Sequence, residues 1–134
     1  LHRHGPVPDV IAPGHFAQPF MPEIATFGEA SLFFIDGAFS HAIRKQCAAG
    51  EYRVQSLYGG HEANWSPAPD ALALAEALVA RLPHVPLACR VDLVPDRDRW
   101  LLMELELIEP HLFPKFNPDL GTMAAHAIRR RLRL

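Results

Sequence analysis

The stretch from Arg90 to Pro110 (RVDLVPDRDRWLLMELELIEP) constrains this chain most, because polar and apolar residues alternate on both sides of a charged break. Side chains on a strand point to opposite faces in turn. Arg90 and Asp92 therefore share a face, with Val91 and Leu93 on the other. After a turn over Pro95 to Arg99, Glu104 and Glu106 again share a face, and Met103, Leu105 and Leu107 are expected to pack behind them. If the two strands pair as a hairpin, three carboxylates and one guanidinium converge on a single patch.

Crowded carboxylates repel one another and raise their own pKa values unless a cation sits among them. Hard oxygen donors of this kind suit Mg²⁺, which is usually held by one or two carboxylates together with substrate phosphates. The same alternation also describes the solvated face of an edge hairpin. From these residues alone both readings stand.

At 134 residues, 49% hydrophobic and 21% charged, the chain has room for one modest core. A net charge of −2 and a pI near 6.5 give no reason to expect nucleic acid or an anionic membrane as partner. The basic run from Arg129 to Arg133 is expected to favour the negative end of a helix dipole rather than to bind a partner. Cys47 and Cys89 have no metal-ligand spacing, and with no secretory signal visible they read as reduced thiols of a cytoplasmic protein. No apolar run approaches the ~20 residues that span a bilayer.

Residues 1–14, with His2, His4 and several prolines, read as an irregular segment. His15 to Phe20 reads as a short strand ending at Pro22, followed by a loop through Gly28. Ala30 to Ile35 is a buried strand, Asp36-Gly37 a hairpin signal, and Phe39 to Lys45 the returning strand. A loop over 50–60 and an exposed, proline-marked connection over 61–69 follow. Asp70 to Leu82 is a helix with Asp70 as N-cap and Leu74, Leu78 and Leu82 repeating every four residues along one face. A loop with three prolines from Glu109 to Asp119 leads to a helix over 120–134, with Met123, Ala127 and Ile128 toward the sheet. This order predicts an α+β fold: helices on one face of a largely antiparallel sheet, in one unit over 15–134.

In this order, Gln18-Pro19-Phe20-Met21-Pro22-Glu23-Ile24, Gly28-Glu29, Ile35 to Ala42, Lys45, Arg53 with Gly59-Gly60, Arg90-Val91-Asp92-Leu93 and Glu104 to Pro110 together resemble an ATP-grasp ligase. The resemblance is to the C-terminal half of the glutathione-synthetase-like and cycloserine-ligase-like branch, and covers nearly everything from Phe16 on. It implies that Gln18, Pro19, Phe20 and Met21 flank adenine, and that Glu29 and Lys45 also bind ATP. It further implies that Arg53 and Arg90 serve catalysis near the phosphates, and that Asp92, Glu104 and Glu106 ligate Mg²⁺ (or Mn²⁺). Glu106 stands where most relatives have Asn. The alternatives are a core strand for Phe20 and Met21, and solvent-facing charges for Glu29, Lys45 and Arg53.

The implied activity is carbon–nitrogen bond formation between a small carboxylate and an amine through an acyl phosphate, with ATP converted to ADP and phosphate. The family's N-terminal domain and lysine-bearing lid are not seen here, so the chain is expected to be part of a longer protein, inactive alone and prone to form homo-oligomers. A non-catalytic Mg²⁺–nucleotide-binding module and a structural or interaction domain are the alternatives.

Overall fold

The computed structural model describes residues 11–15, 19–48 and 59–133. The elements run α1 (Glu23–Thr26), β1 (Glu29–Ile35), β2 (Ala38–Gln46), β3 (His61–Asn64), α2 (Pro69–Ala80), β4 (Ala88–Asp96), β5 (Arg99–Glu106), a 3-10 turn (Pro114–Phe116) and α3 (Leu120–Leu132). The five strands form one sheet in the order β3-β2-β1-β4-β5, and every pairing is antiparallel. The α+β class with an antiparallel sheet is therefore present.

The apolar run Ala30 to Ile35 makes β1 the central strand, flanked by β2 and β4 and buried on both faces. Asp36 and Gly37 both take positive φ, 53° and 79°, as the two-residue turn between β1 and β2 requires. The second turn is tighter than expected. Pro95 and Asp96 remain in β4, opposite Trp100 and Arg99, and only Arg97 and Asp98 turn the chain. Proline is tolerated there because β1 pairs with β4 only as far as Leu93, so Pro95 lacks no ladder donor toward β1.

The α2 side of the sheet holds Ala30, Leu32, Phe34, Val91 and Leu93 against Ala71, Ala75 and Val79. These small residues, rather than Leu74, Leu78 and Leu82, form the buried line of α2, and they let it lie close to the sheet. Leu74 and Leu78 flank that line. The helix begins at Pro69, a residue suited to the first helical position, with Ala68 as N-cap. Asp70 instead accepts a hydrogen bond from the neighbouring Ala71 N–H at 2.9 Å. Phe27, Trp65 and Trp100 close this face, Phe27 T-shaped against both tryptophans and these tilted on each other, with centroids 5.4–6.0 Å apart.

The other face is closed at its two ends and polar between them. At one end, Ile24 of α1 meets Val94, Met21, Leu101 and Met103; at the other, Leu120, Met123 and Ala127 of α3 meet Ile35. Leu105, by contrast, packs on the α2 side, while Leu107 is exposed. Ile128 was expected to face the sheet but is 42% exposed, so α3 uses a narrower stripe. The basic run does more than face a helix dipole. Arg130 and Arg131 donate to the Asp36 carboxylate at 2.9 and 2.8 Å, and Arg131 also donates to the Val85 carbonyl. Hydrogen bonds from Arg130 and Arg131 hold the Asp36 pKa below its usual value.

Two further expectations change. No strand forms at His15, Pro19 or Phe20, residues 16–18 lie outside the described set, and α1 occupies part of the expected loop. The connection over 61–69 contains β3, an edge strand.

Gly28 joins α1 to β1 at φ 91°, and a Cβ there would stand 2.0 Å from the Lys45 carbonyl oxygen. Gly28→Ala should destabilise the chain by at least about 1–3 kcal/mol in urea denaturation. Gly121→Ala, in α3 with nothing within 4 Å of the new methyl, should instead stabilise by about 0.5–1 kcal/mol.

Candidate functional site

The polar middle of the second face follows from the register. Residues directly opposite each other on neighbouring strands share a face. Lys45 stands opposite Glu29, Ser31 opposite Asp92, and Asp92 opposite Glu104; the next row runs His41, Phe33, Arg90 and Glu106. The period of two thus delivers the acids and the guanidinium to one surface, and the bulge after Asp92 does not disturb these rows.

Asp92 is fully buried and holds the centre. Arg90 Nε donates to both of its oxygens, at 3.0 and 2.8 Å, Ser31 Oγ donates to Oδ1, and Lys45 Nζ lies 3.4 Å from Oδ1. Arg90 then reaches outward, with Nη2 3.0 Å from Glu104 Oε2 and Nη1 2.5 Å from Glu106 Oε2. The pairing with these three acids raises the Arg90 pKa despite the opposing effect of burial. Lys45 Nζ is 2.5 Å from Glu29 Oε1. Burial raises the Glu29 pKa, outweighing the attraction of Lys45, and the nearby Asp92 charge adds to the rise.

A cleft of about 650 Å³ opens over this strip, lined on the sheet side by Glu29, Lys45, Glu62, Arg90 and Glu104. Its opposite wall is the segment after β5, with His111, Phe113, Pro114 and Lys115. Phe113 adopts left-handed backbone, φ 46°, and its ring lies 5.9 Å from that of Phe33. Lys115 Nζ bridges to Glu62 Oε2 at 3.0 Å, and Asn117 Nδ2 donates to Ser40 Oγ. His41 stacks on Phe33 with centroids 4.4 Å apart, and burial lowers its pKa.

The expected site residues divide into three groups. Arg90, Asp92, Glu104 and Glu106 come together, and Glu29 and Lys45 join them as an ion pair. Pro19 and Phe20 are exposed, Met21 packs with Ile24 and Val94, and none of the three lines the cleft. Gln18 and Arg53 lie outside the described residues. Ser31, Glu62, His111 and Lys115 were not singled out from the sequence. A lone serine in the run Ala30 to Ile35 was the available signal for Ser31. Glu62 lay in an unrecognised strand, and the other two in a proline-broken loop.

The donor set fits a metal ion only in part. Glu104 and Glu106 each commit Oε2 to Arg90, and their Oε1 atoms have no protein partner among the described residues. Two such carboxylates with substrate phosphates suit Mg²⁺. Asp92 has both oxygens engaged by Arg90. Among the described residues, no group of three or more His, Cys, Asp or Glu is arranged to hold a metal. The three acids gather around a guanidinium rather than an open space.

No protein-family model matches the chain. Over 125 residues, 87% of this chain, it is 34% identical to the cycloserine biosynthesis protein DcsG of Streptomyces lavendulae, of which it covers 42%. The crystal structure of the D-cycloserine synthetase DcsG matches with a TM-score of 0.71 and 32% identity, over 86% of this chain and 41% of that one. The chain is homologous to DcsG, an ATP-grasp ligase, and spans about 42% of its length. D-alanine–D-alanine ligase from Bacillus anthracis shares the ATP-grasp fold, with a TM-score of 0.55 at 15% identity over 78% of this chain and 41% of that one. Its complex with ATP gives 0.53 at 16%, over 78% and 39%. No helix among the described residues is long and apolar enough to cross a membrane.

Two outcomes are expected at this strip. Asp92→Asn removes the charge that Arg90 and Lys45 share in the interior, so it should cost about 3–5 kcal/mol in urea denaturation. Glu29 titrates above its ordinary 4.5, so in the window above that value the folded chain binds more protons than the unfolded one. Stability from this residue therefore falls as pH rises through the window. Glu29→Gln should gain on the wild type as pH increases from 4.5 toward neutrality, read from urea midpoints.

Proposed function

We propose that the chain is the metal- and phosphate-binding part of an ATP-dependent carboxylate–amine ligase. The observation that supports this best is the row structure of β4 and β5. It sets Arg90 opposite Glu106 and Asp92 opposite Glu104 over a cleft, in a chain homologous to a D-cycloserine synthetase.

In this reading a carboxylate oxygen of the substrate attacks the γ-phosphorus of ATP, and the bond to ADP breaks. An amine nitrogen then attacks the acyl carbon, the carbon–oxygen bond to phosphate breaks, and the amine gives up a proton. Glu104 and Glu106 would hold Mg²⁺ (or Mn²⁺), which would supply positive charge against the phosphates during transfer. Asp92 fixes Arg90 from beneath, and Arg90 presents its two Nη groups to an oxyanion, a task that its planar fork suits. Lys45 and Lys115 add cations on the two walls of the cleft. Glu29, paired with Lys45, would contribute to the nucleotide site. Gln18, Pro19, Phe20 and Met21 are assigned to adenine, and Arg53 to the phosphates, on the family resemblance alone. The acceptor and donor would be completed by the remainder of a full-length ligase, and the protein would act in the cytoplasm.

Mg²⁺·ATP should raise the melting temperature of this chain, because a ligand of the native state must stabilise it, by about 2.7 kcal/mol at one hundred times Kd. Glu104→Gln/Glu106→Gln should abolish the magnesium-dependent part of the shift. An unchanged melting curve with ATP, with and without Mg²⁺, would reject the nucleotide site and favour an interaction domain. Phosphate release by the full-length protein, given a carboxylate and an amine, would separate a ligase from a passive binding module.

A further inference from the structure

We propose that Arg90 is a resident counter-ion. It keeps a divalent cation off Glu104 and Glu106 until an incoming anion takes up its Nη groups, so that metal and nucleotide bind as a coupled pair. The proposal rests on the reading of the cleft as a metal–nucleotide site and concerns how that site is loaded.

Three features carry it. First, the guanidinium stands where a bridging cation would be drawn: Nη2 is 3.0 Å from Glu104 Oε2 and Nη1 2.5 Å from Glu106 Oε2. A metal ion using those oxygens would meet a fixed positive charge within a few ångströms, and like charges at that range repel strongly outside bulk water. Second, among the described residues the strip carries four carboxylates, Glu29, Asp92, Glu104 and Glu106, against Lys45 and Arg90. Lys45 is committed to Glu29 and Asp92, so the uncompensated negative charge lies on Glu104 and Glu106. It suits a divalent ion once Arg90 is otherwise engaged.

Third, the anchorage of Arg90 is asymmetric. Its Nε is held by both oxygens of buried Asp92, whereas Nη1 and Nη2 face the less buried Glu106 and Glu104. The tip can change partners while the base stays in place. Arg90 and Glu104 both line the cleft with Lys45 and Lys115, so a phosphate entering there meets the Nη donors directly. Each phosphate oxygen that accepts from Nη releases a carboxylate oxygen for the metal. By linkage, the metal then strengthens phosphate binding by the same factor.

The test is a nucleotide-free Mn²⁺ titration followed by electron paramagnetic resonance, so its outcome does not depend on whether the chain binds ATP. The wild type should bind Mn²⁺ weakly. Arg90→Met should bind it at least tenfold more tightly, and adding Glu104→Gln to that variant should remove the gain. Arg90→Lys keeps a cation beside Asp92 but cannot fork to both glutamates, so it should gain severalfold and carries the test if Arg90→Met does not fold. No gain in either folded variant would overturn the proposal. A wild-type arm needs no substitution: Mg²⁺ alone should leave the Arg90 Nη–H resonances unmoved, while Mg²⁺ with inorganic triphosphate should shift them. A shift with Mg²⁺ alone would also overturn the proposal.

Discussion

The pairing of Arg90 with buried Asp92 is the interaction on which the rest of this molecule's polar face depends. A carboxylate without solvent exposure in the middle of a sheet is strongly unfavourable unless it is paired and hydrogen-bonded. Here it receives the Arg90 guanidinium, the Ser31 hydroxyl and the Lys45 ammonium. Arg90 lies on the same strand, Ser31 on the neighbouring β1 and Lys45 on β2 beyond it, so β1, β2 and β4 must all be in register before the charge is satisfied. The pair thereby ties the geometry of the cleft floor to the integrity of the sheet.

The helices explain why this floor stays open. α2 brings Ala71, Ala75 and Val79 to one face and seals it. On the other face, α1 and α3 pack at opposite ends, over Val94 and Ile35, leaving the rows between them to polar side chains. The segment after β5 then forms a wall rather than a cover. It is fastened by Phe113 near Phe33, by Asn117 on Ser40 and by Lys115 on Glu62. Fixed aromatic contacts and an exchangeable ion pair thus occur in the same short stretch.

Much of this was legible in the residue pattern, for physical reasons that can be named. The apolar run of β1, the Asp36-Gly37 turn and the alternation in β4 and β5 are local signals, and strict alternation suffices to place Asp92, Glu104 and Glu106 on one surface. What was not legible depends on tertiary packing. The leucines of α2 suggested a buried stripe, but proximity to the sheet favours its alanines. β3 is short and polar, as an edge strand can be, and so carries no hydrophobic signature. Alternation brought Arg90 to the same patch as the three acids, but the pairing of its guanidinium with all three at once could not be read from it. Nor could the closeness of Lys115 and Glu62, which are separated by 53 residues.

The clamp between Asp36 and Arg130 with Arg131 has a consequence for the order of assembly. Its partners are separated by 94 and 95 residues, so the β1–β2 hairpin and the final turn of α3 are brought together from far apart in sequence. A ribosome extends the polypeptide from the N-terminus, and the β1–β2 hairpin emerges long before Arg130 does. Until β4 is made, its turn is held by local geometry alone; the Leu87 carbonyl then accepts from the Asp36 N–H at 2.9 Å. Only when α3 has cleared the exit tunnel can the two arginines lock it.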